Sequence, residues 1–163
     1  MLILQYGRTP LMWAAWEGRL EVVTYLVTHG SQLEATSNSG GWTPLLLAAL
    51  VRHMEVVTYL VTHGSQLEAT TSSGLTALHY AAQYGEIDTT KWFVDQGCSP
   101  WMKTKEGKTP YDLVKIESYD NEERKRKKEE VMDFLMTVML QTPEVYVVIT
   151  LSVASPPDKS TLI

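Results

Sequence analysis

The chain has 163 residues, of which 44% are hydrophobic and 20% charged, enough apolar material for a packed core and too much for a disordered chain. Its formal net charge of −5 at pH 7 excludes a chain-wide field that would attract nucleic acid or acidic lipid. A single cysteine excludes an internal disulfide and a thiolate metal cluster.

Residues 1–6 lack the basic start and long apolar run of a signal peptide, which sets the expectation of an intracellular, cytoplasmic protein. Thr9-Pro10-Leu11 then reads as a helix start, threonine at the N-cap and proline at the first helical position, where its missing N–H costs nothing. The start recurs at Thr43-Pro44-Leu45, at Thr76-Ala77-Leu78 with alanine in place of proline, and at Thr109-Pro110-Tyr111, spaced by 34, 33 and 33 residues. The first three of these short helices carry a pair of small residues, Ala14-Ala15, Ala48-Ala49 and Ala81-Ala82, allowing close approach to a neighbour. Gly18 and Gly85 break the chain, and an apolar-periodic second helix follows. Gly30, Gly64 and Gly97 sit where that helix should end in a left-handed cap. The next stretch is rich in Ser, Thr, Asn and Gly, the chemistry of a turn or finger-like hairpin. Residues 21–36 and 55–70 are the same sixteen letters, EVVTYLVTHGSQLEAT.

With TPLMWAA at 9–15, TALHYAA at 76–82, GKTPYDL at 107–113 and a period of 33, the chain resembles the ankyrin repeat family. The resemblance runs from about Gly7 to Leu140. It implies an all-α solenoid of helix–turn–helix repeats with short fingers, the first helices lining a concave face, and non-catalytic binding of a partner protein. The expected domain is 1–140, with repeats at about 9–42, 43–75, 76–108 and 109–140. The last is interrupted by a charged insertion at 117–130, and an extended or disordered tail follows at 141–163. A substrate adaptor, for instance for a ubiquitin ligase, and a structural piece of a longer array are the alternative functions. A monomer is expected, with no cofactor, metal, nucleic acid or membrane.

The chain departs from the family pattern in places. The histidine of TPLH survives only as His79, with Met12, Leu46 and Asp112 elsewhere, and Arg52 replaces a glycine between helices. The first repeat has no polar cap, so either Met1–Leu4 covers its stacking face or further repeats precede it. In the fourth repeat the second-helix frame arrives nine residues late, at Glu130-Val131 to Leu135, after a first helix expected over 110–116. The extra residues read as a solvated loop or as an extension of the last helix.

Because the second helices of repeats 1 and 2 are identical, any functional difference must lie in the first helices and fingers. The family's contact positions fall on Trp13, Trp16, Glu17, Leu47, Leu50, Val51, Tyr80, Gln83 and Tyr84 in the first helices. In the fingers they fall on Arg8, Asn38, Ser39, Trp42, Ser72, Ser73, Leu75, Lys105, Glu106 and Lys108. This stripe is aromatic and aliphatic at its middle, as interface anchors are. Each aromatic could instead pack between helices, and Trp92 and Phe93 are assigned to the core.

His29 and His63 fall at helix C-termini, where capping is expected, with Gln96 in phase and so no third ligand. Cys98 reads as a buried, inert thiol. The run Arg124–Lys128 resembles a nuclear-localisation or phosphate patch. Seven acidic against five basic side chains over 117–133 predict helix salt bridges instead. The β-prone run at 145–153 is too short to cross a bilayer, and Thr161-Leu162-Ile163 resembles a ligand for carboxylate-capturing domains. Motifs for phosphate loops, dinucleotides and zinc hydrolases are absent from the sequence.

Overall fold

The computed structural model describes residues 7–142. The expected cover by Met1–Leu4, the 145–153 run and the C-terminal three residues lie outside them. The described residues form eight α-helices in four pairs and no β-strand. The first helices are α1 (Pro10–Trp16), α3 (Pro44–Leu50), α5 (Ala77–Gln83) and α7 (Pro110–Leu113); the second are α2 (Leu20–Thr28), α4 (Met54–Thr62), α6 (Ile87–Asp95) and α8 (Glu122–Gln141).

The four threonines act as read. Thr9, Thr43, Thr76 and Thr109 are N-caps in extended backbone, and each hydroxyl accepts from the N–H three residues on. Each such cap is worth about 1 kcal/mol. His29 and His63 close α2 and α4: their Nδ1 atoms lie 2.7 and 2.8 Å from the carbonyl oxygens of Tyr25 and Tyr59, and their rings stack on those tyrosines. Of the two forms expected, the fingers take that of turns without strands. Each is closed at its base by a backbone bond, Ser37 N–H to Trp42 O, Thr71 N–H to Leu75 O and Thr104 N–H to Lys108 O, and two of them hold a tight turn inside, Gly74 N–H to Thr71 O and Gly107 N–H to Thr104 O. Neighbouring fingers are tied by Ser72 N–H to Gly40 O and Lys105 N–H to Ser73 O. Their backbone groups are spent on turns and on the next finger, so no ladder grows.

The first helices pack on one another more closely than the second helices do, so the stack curves with α1, α3 and α5 on its inner side. The alanine pairs permit this: Ala15, Ala48 and Ala82 have no exposed surface. Between the helix layers lies one apolar core, from Leu11 and Val23 through Leu45, Val57 and Leu60 to Leu78 and Phe93. Phe93 is fully buried, and Trp92 packs edge-on against it from a half-buried position. Cys98 is buried, and desolvation pushes its thiol up to about 12, so it holds no thiolate at neutral pH.

The duplicated segment is an internal control. Its two copies have the same helix length and the same capping bonds within about 0.2 Å, yet Val22 is 48% exposed and Val56 1%. The first repeat covers the second, and among the described residues nothing covers the first. Both copies also donate a carboxylate forward: Glu34 accepts from Gln66 N–H and Glu68 from Ser99 N–H, tying each repeat to the next.

The last pair departs from expectation. α7 stops at Leu113 instead of reaching Ile116, because Val114 turns into extended backbone to bury its side chain with Ala82, Val131 and Leu135. The late residues divide between a loop and the first turns of α8, which has 20 residues against nine in α2, α4 and α6. Asn121 caps α8 through Arg124 N–H, and Glu122 and Glu123 suit its positive end. The start of α8 lies against the α5–α6 turn because Gly85 has no side chain. A Cβ there would meet Lys128 Cγ at 3.1 Å, and its φ of +72° already strains any other residue. Gly85→Ala is expected to cost about 1 kcal/mol in urea unfolding. Arg52 accepts the same left-handed backbone at φ +65°, as its place between helices implied.

Candidate functional site

The predicted stripe does not form one open surface. Leu47 has no exposed surface and Tyr80 only 7%, so both are corrected to structural positions, buried where a partner cannot reach them. Tyr80 instead faces Trp42, ring centroids 5.3 Å apart, and Trp42 packs half-buried on the core. At the other end Arg8 sits 5.3 Å from the centroids of both Trp13 and Trp16, so these three form a cation–π cluster. Both tryptophans are half-buried, and the Trp13 indole N–H is buried without a hydrogen-bond partner among the described residues. Glu17, Lys105 and Glu106 are exposed, whereas Val51, Leu75 and Lys108 are half-buried. Lys108 pairs with Glu106 at 2.9 Å and holds that carboxyl below its ordinary range.

Leu50, Gln83 and Tyr84 are brought together on the inner side at the ends of α3 and α5, where they line a groove of about 480 Å³. Tyr84 is an exposed aromatic in it, 53% accessible. The facing wall is the loop after α7 and the start of α8, contributing Leu113, Lys115, Glu117, Tyr119, Asp120, Arg124, Lys127 and Lys128. None of these entered the sequence-based stripe. Their signal was present as the late fourth repeat, but the sequence left the insertion's direction open.

That wall is pinned from within. Lys128 reaches back to donate to the Lys115 carbonyl at 2.7 Å and to the Asp120 carboxylate at 2.5 Å, with the Asp120 side chain almost wholly enclosed. Asp120 also accepts from Glu117 N–H at 2.8 Å. The Lys128 ammonium, then that N–H, hold the Asp120 carboxyl below its ordinary range, so it stays ionised at neutral pH. Across the groove Arg52 pairs with Glu86 at 2.7 Å.

A second, apolar hollow of about 200 Å³ lies on the outer end of the last pair, between Trp101, Tyr111, Met136, Met139 and Leu140. Among the described residues no three His, Cys, Asp or Glu side chains converge as a metal site requires. No helix among them is long and apolar enough to cross a membrane.

Two family models match overlapping stretches of the chain, ankyrin repeat over residues 6–38 and ankyrin repeats in three copies over residues 33–104. The chain belongs to the ankyrin repeat family. Ankyrin repeats are in general protein–protein interaction modules and typically non-catalytic. His79 fills its family position in full. Its Nδ1 lies 3.1 Å from Thr76 N and accepts that N–H, and its Nε2 lies 3.2 Å from the Lys108 oxygen, joining the third repeat to the next finger. The outer wall of the groove, from Leu113 onward, lies beyond both matched stretches. This ankyrin solenoid therefore carries a familiar inner face closed at one end by residues of its own.

Proposed function

We propose that this ankyrin chain is a non-catalytic binding module that holds a partner protein on its inner face. The observation that carries this reading is Tyr84, an aromatic side chain more than half exposed inside a groove of ligand-pocket size. Gln83 and Leu50 beside it, with Lys105 and Glu106 at the fingers, would extend the contact. Rigid packing beneath these residues lets them bind with little ordering cost. The single, buried cysteine suits a reducing compartment, and we place the chain in the cytoplasm.

The double variant Gln83→Ala/Tyr84→Ala is expected to weaken partner binding by about 2 kcal/mol, roughly thirtyfold, without changing the unfolding midpoint, since both side chains are exposed. A photo-crosslinking residue at position 84 should capture the partner, and one at Thr58, exposed on α4, should not. Capture at 58 alone would move the site to the outer face. Trp42→Ala is a poor probe, because the ring packs on the core and its loss would disturb folding.

A second reading, a segment of a longer array, is favoured by one observation. The open face of α2, with Val22 at 48% and Tyr25 at 61% exposure, is the face that repeat 1 covers in repeat 2. An adaptor role has no separate motif in its favour.

A further inference from the structure

We infer that the groove between α5 and the start of α8 is a receptor for an acidic peptide segment, one carrying anionic side chains next to an apolar or aromatic residue. This rests on the interaction reading above and names the chemistry of the partner at that face.

The chain as a whole is acidic, yet this groove is not. Five cationic side chains line it, those of Arg52, Lys115, Arg124, Lys127 and Lys128. Only three carboxylates face them, Glu86, Glu117 and Asp120. Two of the three are already satisfied, Glu86 by Arg52 and Asp120 by Lys128. Lys127 leans on Glu123, outside the lining. Lys115 and Arg124 make no ion pair among the described residues, and the one unpaired carboxylate against them is Glu117. The surplus in the groove is therefore positive, and the two cations that carry it are free to accept an anion from outside.

Geometry sets the class of that anion. The basic run that read as a nucleic-acid or import signal is largely neutralised within its own helix. Lys125 pairs with Glu122, Arg126 with Glu130 and Lys127 with Glu123, while Lys128 is turned inward to Asp120. A long polyanion would find no continuous stripe of charge along α8. What remains is Arg124 on one wall, Lys115 at the base of that wall, and the exposed rings of Tyr84 and Tyr119, 53% and 76% accessible. Discrete cations beside aromatic faces match single anionic side chains on a short extended segment, which Arg binds in a planar fork and Tyr flanks. The Lys128 pin and the close fit over Gly85 hold the wall in place before the ligand arrives.

The test uses three fluorescein-labelled hexapeptides, Glu-Glu-Leu-Tyr-Glu-Glu, its Gln-for-Glu counterpart, and that counterpart with phosphotyrosine in place of tyrosine. Anisotropy at low and physiological salt reads the binding to the full chain. The glutamate peptide should bind, weakening with salt, and the glutamine peptide should bind at least tenfold more weakly. Binding of the phosphotyrosine peptide above the glutamate peptide would assign the anion as phosphate; the reverse order would assign it as carboxylate. Arg124→Glu and Lys115→Glu should each remove most of this binding, whereas Arg19→Glu, the same charge change outside the groove, should not. A circular-dichroism melt of each variant shows that the fold persists.

Equal binding of the charged and neutral peptides, or unchanged binding by Arg124→Glu/Lys115→Glu, overturns the inference. So does an oligouridylate that binds wild type more tightly than the glutamate peptide. A partner crosslinked at position 84 through a segment without acidic residues sinks this inference alone, whereas no crosslink at 84 sinks the interaction reading beneath it.

Discussion

Val56→Ala is expected to lower folding stability by about 2 kcal/mol, and the same change at Val22 by no more than about 0.5 kcal/mol. Both valines occupy the second position of EVVTYLVTHGSQLEAT, so helix propensity and unfolded-chain entropy are equal at the two sites and cancel in the comparison. Val56 is 1% exposed, and truncation there removes buried methyl groups and leaves a cavity in the stack; Val22 is 48% exposed and loses little. Urea unfolding of the two single variants measures the difference. Since sequence and local structure are shared, the gap of about 1.5 kcal/mol is the contribution of nearest-neighbour stacking at one side chain. Equal losses would mean that Val22 is as well covered as Val56, and the open face of α2 would then not exist in solution.

Replacement of His79 by leucine is expected to cost about 3 kcal/mol and to flatten the acid side of the stability profile. The ring has no exposed surface and joins Thr76 N–H to the Lys108 carbonyl, so leucine would strand a donor and an acceptor at about 1–3 kcal/mol each. Burial lowers the His79 pKa from its ordinary 6.5, against smaller opposing contributions from the Lys108 and Met102 backbones. The geometry agrees, since Nδ1 accepts Thr76 N–H and a proton on that nitrogen would face another donor. The unfolded chain therefore binds a proton that the folded chain does not once pH falls below about 6.5. The stabilisation is complete above that pH and is lost as pH falls toward the lower folded value. Wild type should lose stability between pH 6.5 and 5 more steeply than His79→Leu. Parallel profiles for the two proteins would show that His79 does not titrate in this window.

Much of the fold was legible because ankyrin repeats are made of short-range signals. A threonine ahead of proline or alanine at the phase of the repeat specifies a helix start through its own hydroxyl, and all four predicted starts are capped as read. The histidines after the second helices reach carbonyls four residues back, so their capping role needed no tertiary knowledge. Arg52 was legible for the same reason, since a helix–turn–helix link of fixed length forces one residue to positive φ whatever its side chain.

The candidate site was legible only in part. Trp13, Leu47 and Tyr80 share one repeat position, yet Trp13 is half-buried beneath Arg8, Leu47 is buried outright, and Tyr80 is covered in part by the Trp42 ring. Repeat phase gives the face on which a residue starts, and the side chains stacked around it decide what remains open. The groove shows the same limit more sharply. Gln83 and Tyr84 were found from phase, but their facing wall depends on where Val114 leaves the helix and on Lys128 reaching back to Asp120.

By itself the sequence determined the period, the helix starts and caps, the family and the inner row of first helices, because each rests on bonds within a few residues. Only the tertiary structure decided which of two identical valines is buried, which aromatics are surface, and that an insertion becomes one wall of a groove. Those outcomes depend on contacts between segments, and burial belongs to a residue's neighbours in space as much as to the residue.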